Sequence, residues 1–324
     1  MRRILKVLVI IVLFVLVGAG AALAYLFLAL PKSAPPSALK VAGTPEQVAR
    51  GAYLASHVTV CLDCHSVRDQ GRYAFPIQPG TEGQGGQVFG HADGFPGELP
   101  MPNLTPTGLA DWSDGEVLRA MTSGVRRDGR PIFPFMPYPV YANLSQGDAE
   151  AIIAYLRTLP ARGTTTPPSQ LDFPLSLIVR TIPKPATLRA DTPQPGSPDY
   201  GRYMATIAGC RECHTPEVKG KLVEGMDFAG GHDFGIVKSA NITPDELTGI
   251  GGWTKEAFIG RFRSYANGTP AVAKGDNNTV MPWTLFAGMR DEDLSAIYDY
   301  LRTVKPVRNA VEKWPQAKEA SPAG

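Results

Sequence analysis

The chain is written twice. Six short patterns recur in the same order along its 324 residues. Gly51-Ala52-Tyr53-Leu54 returns as Gly201-Arg202-Tyr203-Met204, and Cys61-Leu62-Asp63-Cys64-His65 returns as Cys210-Arg211-Glu212-Cys213-His214. Asn103-Leu104-Thr105-Pro106 returns as Asn241-Ile242-Thr243-Pro244, and Trp112-Ser113 as Trp253-Thr254. Met136-Pro137-Tyr138 returns as Met281-Pro282-Trp283, and the stretch Ala151 to Thr158 as Ala296 to Thr303. Self-similarity at this scale means two copies of one structural unit, so whatever the first half folds into, the second must fold into as well.

The second pattern carries the chemistry. C-x-x-C-H is the attachment signature of c-type haem, in which both cysteines form thioethers and the adjacent histidine becomes the proximal iron ligand. The two copies use all four cysteines of the chain. Two C-x-x-C pairs are also the raw material of a four-thiolate zinc site. Zinc has no need of a histidine after each pair, and the pairs stand too far apart for a compact ribbon. A thioredoxin-type redox pair requires a βαβ setting, and the sequence offers none. The reading is two covalently attached haem c groups, held by Cys61, Cys64 and His65 and by Cys210, Cys213 and His214.

The N-terminus, Met1-Arg2-Arg3-Ile4-Leu5-Lys6, precedes an uncharged apolar run from Val7 to Leu30. That run is long enough to cross a bilayer and longer than the apolar region of most cleaved signal peptides. Ala22-Leu23-Ala24 offers a small-residue cleavage site, but apolar sequence continues past it. The expectation is a retained single-pass anchor in a bacterial inner membrane, with Arg2, Arg3 and Lys6 cytoplasmic and the rest periplasmic. Residues 1–43 carry net charge +5, residues 44–160 carry −4 and residues 195–310 carry −1. The exported part is thus mildly acidic, and nothing points to nucleic acid.

The expected organisation is an anchor and tether over 1–43, a first domain over 44–162, a connecting strap over 163–194, a second domain over 195–308 and a flexible tail over 309–324. The strap is Thr/Pro-rich yet carries an apolar patch at Phe173, Leu175, Leu177, Ile178 and Val179, which predicts an ordered segment packed on a domain. Each domain is expected to be mainly α. A leading helix runs into the haem motif, a middle helix starts at Ser113 or Thr254, and a terminal helix starts near Ser145 or Asp291. Ser113 and Glu116 have capping-box spacing. Ile152, Ile153, Leu156 and Leu159 recur with helical period. Gly51 and Gly201 fit either a close helix crossing against Tyr155 and Tyr300 or plain helix starts.

The sixth iron ligand is expected from the paired loops, as Met136 and Met281. A lone methionine reads as core filler, but two at matching places before the last helix read as axial ligands. Met101, Met121, Met204, Met226 and Met289 are not paired in that way. His57 lies too close to Cys61 to reach the distal face. His91 and His232 are either distal ligands or surface and supporting residues. Trp112, Trp253, Asn103 and Asn241 either donate to haem propionates or serve packing and turns.

Helix, C-x-x-C-H, long loop, Pro-flanked methionine and aromatic-bearing last helix resemble the monohaem cytochrome c fold, present twice. Asn241 to Asp245, Gly249 to Trp253, and Phe133-Pro134-Phe135-Met136-Pro137-Tyr138 are similar to the cytochrome c subunits of membrane-bound alcohol and gluconate dehydrogenases. Those subunits carry three such domains, where this chain has two, and a polar stretch from Ala271 to Thr279 precedes the second methionine. The resemblance spans residues 44–308. It implies a dihaem electron carrier of a respiratory chain, working between a dehydrogenase or quinol-oxidising complex and an acceptor such as a terminal oxidase. On this reading the chain is an electron-transfer protein or subunit, with no catalytic residue of its own. The alternative is a dihaem peroxidase-like oxidoreductase with one iron that can open. A non-redox assembly module has no use for covalent haem.

Overall fold

The computed structural model of the protein describes residues 2–273 and 275–314. The apolar N-terminal run forms one helix, Arg2–Leu28, none of whose residues is buried. It is the only helix among the described residues long and apolar enough to cross a membrane.

Each half is built on two crossed helices. The leading helices are Pro45–Tyr53 and Pro198–Ile207, and the terminal helices are Gln146–Thr158 and Asp291–Leu301. Thr44 and Ser145 cap the first-half helices through side-chain oxygens, each satisfying a backbone N–H that would otherwise lack a partner. The crossing rests on the repeated glycines. A Cβ on Gly51 would lie 1.8 Å from the carbonyl oxygen of Ala151, and one on Gly201 would lie 2.1 Å from that of Ala296. Tyr155 and Tyr300 Cβ atoms close the same contacts at 2.9 and 3.1 Å. These glycines therefore serve close approach. Leu54, Leu144, Ile152 and Ile153 in the first half, with Met204, Ile207, Leu294 and Leu301 in the second, are fully buried around the crossings. Burial of each such side chain contributes roughly 1.5–3 kcal/mol.

The middle helices, Asp114–Ser123 and Lys255–Arg263, begin where the repeat places them. Ser113 and Glu116 form the reciprocal capping box, at 3.2 and 2.8 Å. The repeated arginine of the last pattern has a mechanical role. Arg157 donates to the carbonyls of Leu109 and Trp112 at 2.7 and 2.5 Å and pairs with Asp114 at 2.9 Å. Arg302 likewise donates to the carbonyl of Gly251 at 2.6 Å. Each terminal helix thus fastens the loop that launches its own middle helix.

The strap is ordered and bonded to the first half. Its Gln170–Leu171 strand completes an antiparallel sheet with Gly97–Pro100 and Val88–Phe89, in the register Gly97 to Leu171 and Val88 to Pro100. Farther along, Ala186 N donates to Ser123 Oγ at 3.2 Å. The tail departs from expectation. Between 309 and 314 it is held against the second half: Asn309 donates to the Ala229 carbonyl at 2.9 Å, and Lys238 N donates to the Lys313 carbonyl at 2.8 Å. Contacts of this kind with distant backbone carry no local sequence pattern. Residues 315–324 lie outside the described part of the chain.

The two halves share one core, and three contacts that sequence reasoning missed build the seam. Tyr53 OH of the first leading helix donates to Asp293 at the start of the second terminal helix. Reciprocally, Tyr203 OH donates to Asp148 Oδ2 at 2.6 Å. Each aspartate also has a partner from its own half: Arg50 grips Asp148 through two bonds of 2.8 and 2.9 Å, and Tyr200 donates to Asp293 at 2.5 Å. His57 Nδ1 lies 2.8 Å from the Leu285 carbonyl, over Gly288, where a Cβ would strike the ring. The polar stretch before Met281 forms the third contact. It clasps the 71–74 loop of the first half: Val272 N to Gly71 O at 2.9 Å, Tyr73 N to Pro270 O at 3.0 Å, and Ala74 N to Asn278 Oδ1 at 2.7 Å.

Candidate haem-binding crevices

Each C-x-x-C-H motif forms a single helical turn, Cys61–Cys64 and Cys210–Cys213. The residue before each turn adopts a left-handed conformation, Val60 at φ 45° and Gly209 at φ 69°. Glycine adopts this freely, whereas a β-branched valine is strained there. The first copy therefore carries a local cost of about 1–2 kcal/mol that the second avoids.

His65 is buried and His214 half-buried, and both are oriented by the same device. His65 Nδ1 lies 2.8 Å from the Pro102 carbonyl, and His214 Nδ1 lies 2.7 Å from the Ala240 carbonyl. A carbonyl accepts only, so Nδ1 carries the proton and Nε2 keeps its lone pair, the tautomer an iron ligand requires. Burial lowers the pKa of both imidazoles, with the carbonyl bonds opposing it; at His214 the Lys313 and His232 charges lower it further. Burial also pushes the thiols of Cys64 and Cys210 up, to about 12.

The paired methionine loops fold alike. Tyr138 N donates to Met136 O at 2.8 Å, and Trp283 N donates to Met281 O at 2.7 Å. The intervening prolines sit at φ −80°, ψ 51° and φ −79°, ψ 63°. Each loop is an inverse γ-turn, with proline fixing the required φ. Both methionines line the cavity that Cys61, Cys64, His65, Cys210, Cys213 and His214 also line. This continuous space of about 2670 Å³ runs through both halves and brings the eight expected site residues onto one wall system.

The other expectations sort cleanly. Asn103 and Asn241 are spent on turns: their side-chain oxygens accept from the Thr105 and Thr243 backbone and hydroxyl. Their amides donate to the Arg162 and Val307 carbonyls, at 2.7 and 2.8 Å. Trp112 and Trp253 line the cavity, and the Arg126 guanidinium lies 5.9 Å over the Trp112 ring. His91 is exposed and sits 2.8 Å from Asp172. His232 stacks on Phe234 and approaches the carbonyl of Thr215, the residue after His214.

A family model described as Cytochrome c matches residues 48–160 and 200–305. The chain is similar to the Fructose dehydrogenase cytochrome subunit of Gluconobacter japonicus, 28% identical over 274 residues, covering 79% of this chain and 52% of the relative. It is similar to the Gluconate 2-dehydrogenase cytochrome c subunit of Pantoea cypripedii, 29% identical over 282 residues, covering 79% and 59%. It is also similar to the Diheme cytochrome c-type protein of Cereibacter sphaeroides, 27% identical over 261 residues, covering 76% and 82%. The chain spans little more than half the length of the two dehydrogenase subunits. Matches of this kind imply covalently bound haem c and electron transfer. The residues present fit that group. The cavity wall is mostly apolar, both histidines line it, and Arg68 Nη2 is buried on it without a hydrogen-bond partner, as a donor awaiting an anionic group would be.

Proposed function

Because the chain belongs to the cytochrome c family, we propose that it is a dihaem electron carrier anchored in the bacterial inner membrane and working on the periplasmic side. Cys61 and Cys64 hold one haem c, and Cys210 and Cys213 the other. His65 and His214 are the proximal ligands, and Met136 and Met281 the distal ones. The groups so held supply a one-electron couple each, and His/Met ligation keeps the potential high. The domain division is 44–162 and 195–308, joined by the strap.

The observation that carries this reading is the twofold recurrence of one arrangement: a carbonyl-oriented histidine and a proline-turn methionine on the walls of the same cavity. Two filled axial positions leave no open site for substrate. That favours carriage of electrons over turnover of a substrate. The helix Arg2–Leu28, about 40 Å long at 1.5 Å per residue, exceeds the hydrocarbon thickness of about 30 Å, which supports an anchor. The names of the relatives support a dehydrogenase as donor, with a downstream acceptor such as a terminal oxidase.

The test is a haem count and a redox titration on the detergent-solubilised protein. Two haems per chain, two one-electron steps and low-spin ferric spectra are expected. One haem per chain, or a high-spin ferric signal with cyanide binding, refutes the reading.

A further inference from the structure

The strap bears an apolar surface that neither half covers. Phe173 is 80% exposed and Ile178 is 49% exposed, although the strap around them is held to the first half by sheet pairing and by the bond from Ala186. Surface of this kind on an ordered segment marks a contact, and the same segment shows with what. The Arg180 guanidinium lies 4.4 Å over the ring of Phe27, in the last turn of the anchor helix, and donates to the Leu30 carbonyl at 3.5 Å. The strap therefore sits at the level where the apolar run ends.

The anchor cannot swing away from it freely. Val41 N donates to Asp114 Oδ2 at 2.9 Å, and the Ser37 carbonyl packs where a side chain at position 115 would strike it. Only residues 31–36 separate this pinned tether from the helix contact. Lys32 and Lys184, both exposed, lie in the two segments that meet here, beside Arg180. Cations at such a level match anionic headgroups, worth about 1 kcal/mol each near the surface.

We propose that strap residues 172–182 form a membrane-interface element: Phe173 and Ile178 enter the boundary between headgroups and acyl chains of the bilayer that the anchor crosses. The occupant of this surface is lipid. The inference rests on the anchored reading given above. It also has a consequence for the site. Leu175, Ser176, Ile178 and Val179 line the cavity, so the segment that lies on lipid is also a wall of the first crevice. Electrons exchanged with a membrane-embedded partner then pass through the first half.

Thioether formation consumes all four native cysteines, so one introduced cysteine takes a nitroxide label uniquely. The full chain carrying Phe173→Cys, Ile178→Cys, Leu13→Cys or Leu247→Cys is reconstituted into phosphatidylcholine/phosphatidylglycerol vesicles. Collision with oxygen, which partitions into lipid, is compared with collision with a water-soluble nickel complex. Leu247, 72% exposed in the second half, is the aqueous reference. Labels at 173 and 178 are expected to favour oxygen several-fold relative to 247, with haem absorption unchanged for the label at 173, which lies outside the cavity wall. An aqueous profile at 173 and 178 with a lipid profile at 13 overturns this proposal alone. An aqueous profile at 13 overturns the anchor itself, and the proposal with it.

Discussion

Tyr53→Phe is the sharpest probe of how the two halves are joined. The substitution keeps the ring and removes one oxygen. Asp293 is 2% exposed, and its carboxylate accepts from the hydroxyls of Tyr53 and Tyr200. A hydrogen bond to a charged group contributes about 1.5–3 kcal/mol. The variant also removes the acceptor of the Arg290 backbone N–H, 3.1 Å from Tyr53 Oη, which water can replace at that exposed position. The expected loss is therefore about 2 kcal/mol, roughly a thirtyfold fall in the folded-to-unfolded ratio. The assay is guanidinium unfolding of the solubilised protein, followed by far-ultraviolet dichroism and by haem absorption. A double-mutant cycle with Asp293→Asn isolates the pair: with an amide as acceptor, the same tyrosine change should cost about 1 kcal/mol or less. Because the bond joins the halves, the variant should also separate the two unfolding transitions. A loss below 0.5 kcal/mol, or a coupling of zero in the cycle, refutes the role assigned to this bond.

Met136→Ala and Met281→Ala should each remove about half of the methionine–iron charge-transfer absorption of the oxidised protein; an unchanged spectrum refutes the ligand assignment. Gly51→Ala and Gly201→Ala place a methyl within 1.8 and 2.1 Å of a facing carbonyl, and each should cost about 1–3 kcal/mol or more in unfolding experiments. Burial raises the Tyr53, Tyr200 and Tyr203 phenols above their ordinary pKa, and the bonds to Asp293 and Asp148 add to it. A raised folded-state pKa gives stability that is complete below the unfolded value of about 10 and is lost as pH climbs through the folded value. Stability should therefore hold to about pH 10 and fall beyond it, less steeply in Tyr53→Phe. High-salt washing should leave the protein in the membrane pellet, and its release would show that the N-terminal helix is not retained.

What was legible in the sequence was what local pattern encodes. The haem motifs, the Ser113 cap, the helical period of Ile152 to Leu156 and the paired methionines each follow from residue type and spacing within one element. The seam was not legible, because it depends on which distant surface each half meets. Asp148 and Asp293 read as ordinary acids of a helix's first turn, and Tyr53 and Tyr203 as parts of a repeated tag. The signal was nevertheless present: tyrosine two residues after the glycine and aspartate in the first turn of the last helix recur in both halves. The polar stretch from Ala271 to Thr279 stood out as a departure from the repeat, but only the fold shows it as a clasp on the 71–74 loop. The asparagines stay ambiguous in the sequence, between cofactor contacts and turns, and the fold decides for turns: their amides are occupied by backbone carbonyls.

The exchange of tyrosine for aspartate across the seam has the logic of an isologous dimer, made within one polypeptide. Tyr53 and Asp148 belong to the first half, Tyr203 and Asp293 to the second. Each half thus owns one donor and one acceptor of a self-complementary pair. Linkage through the strap makes docking intramolecular, so it does not dissolve on dilution. It also relieves the two copies of any need to stay identical, as the exchange of Arg50 for Tyr200 and of Val60 for Gly209 shows. A half cut free of its partner would still hold both members of the pair, and a second copy of itself would be the nearest surface to satisfy them.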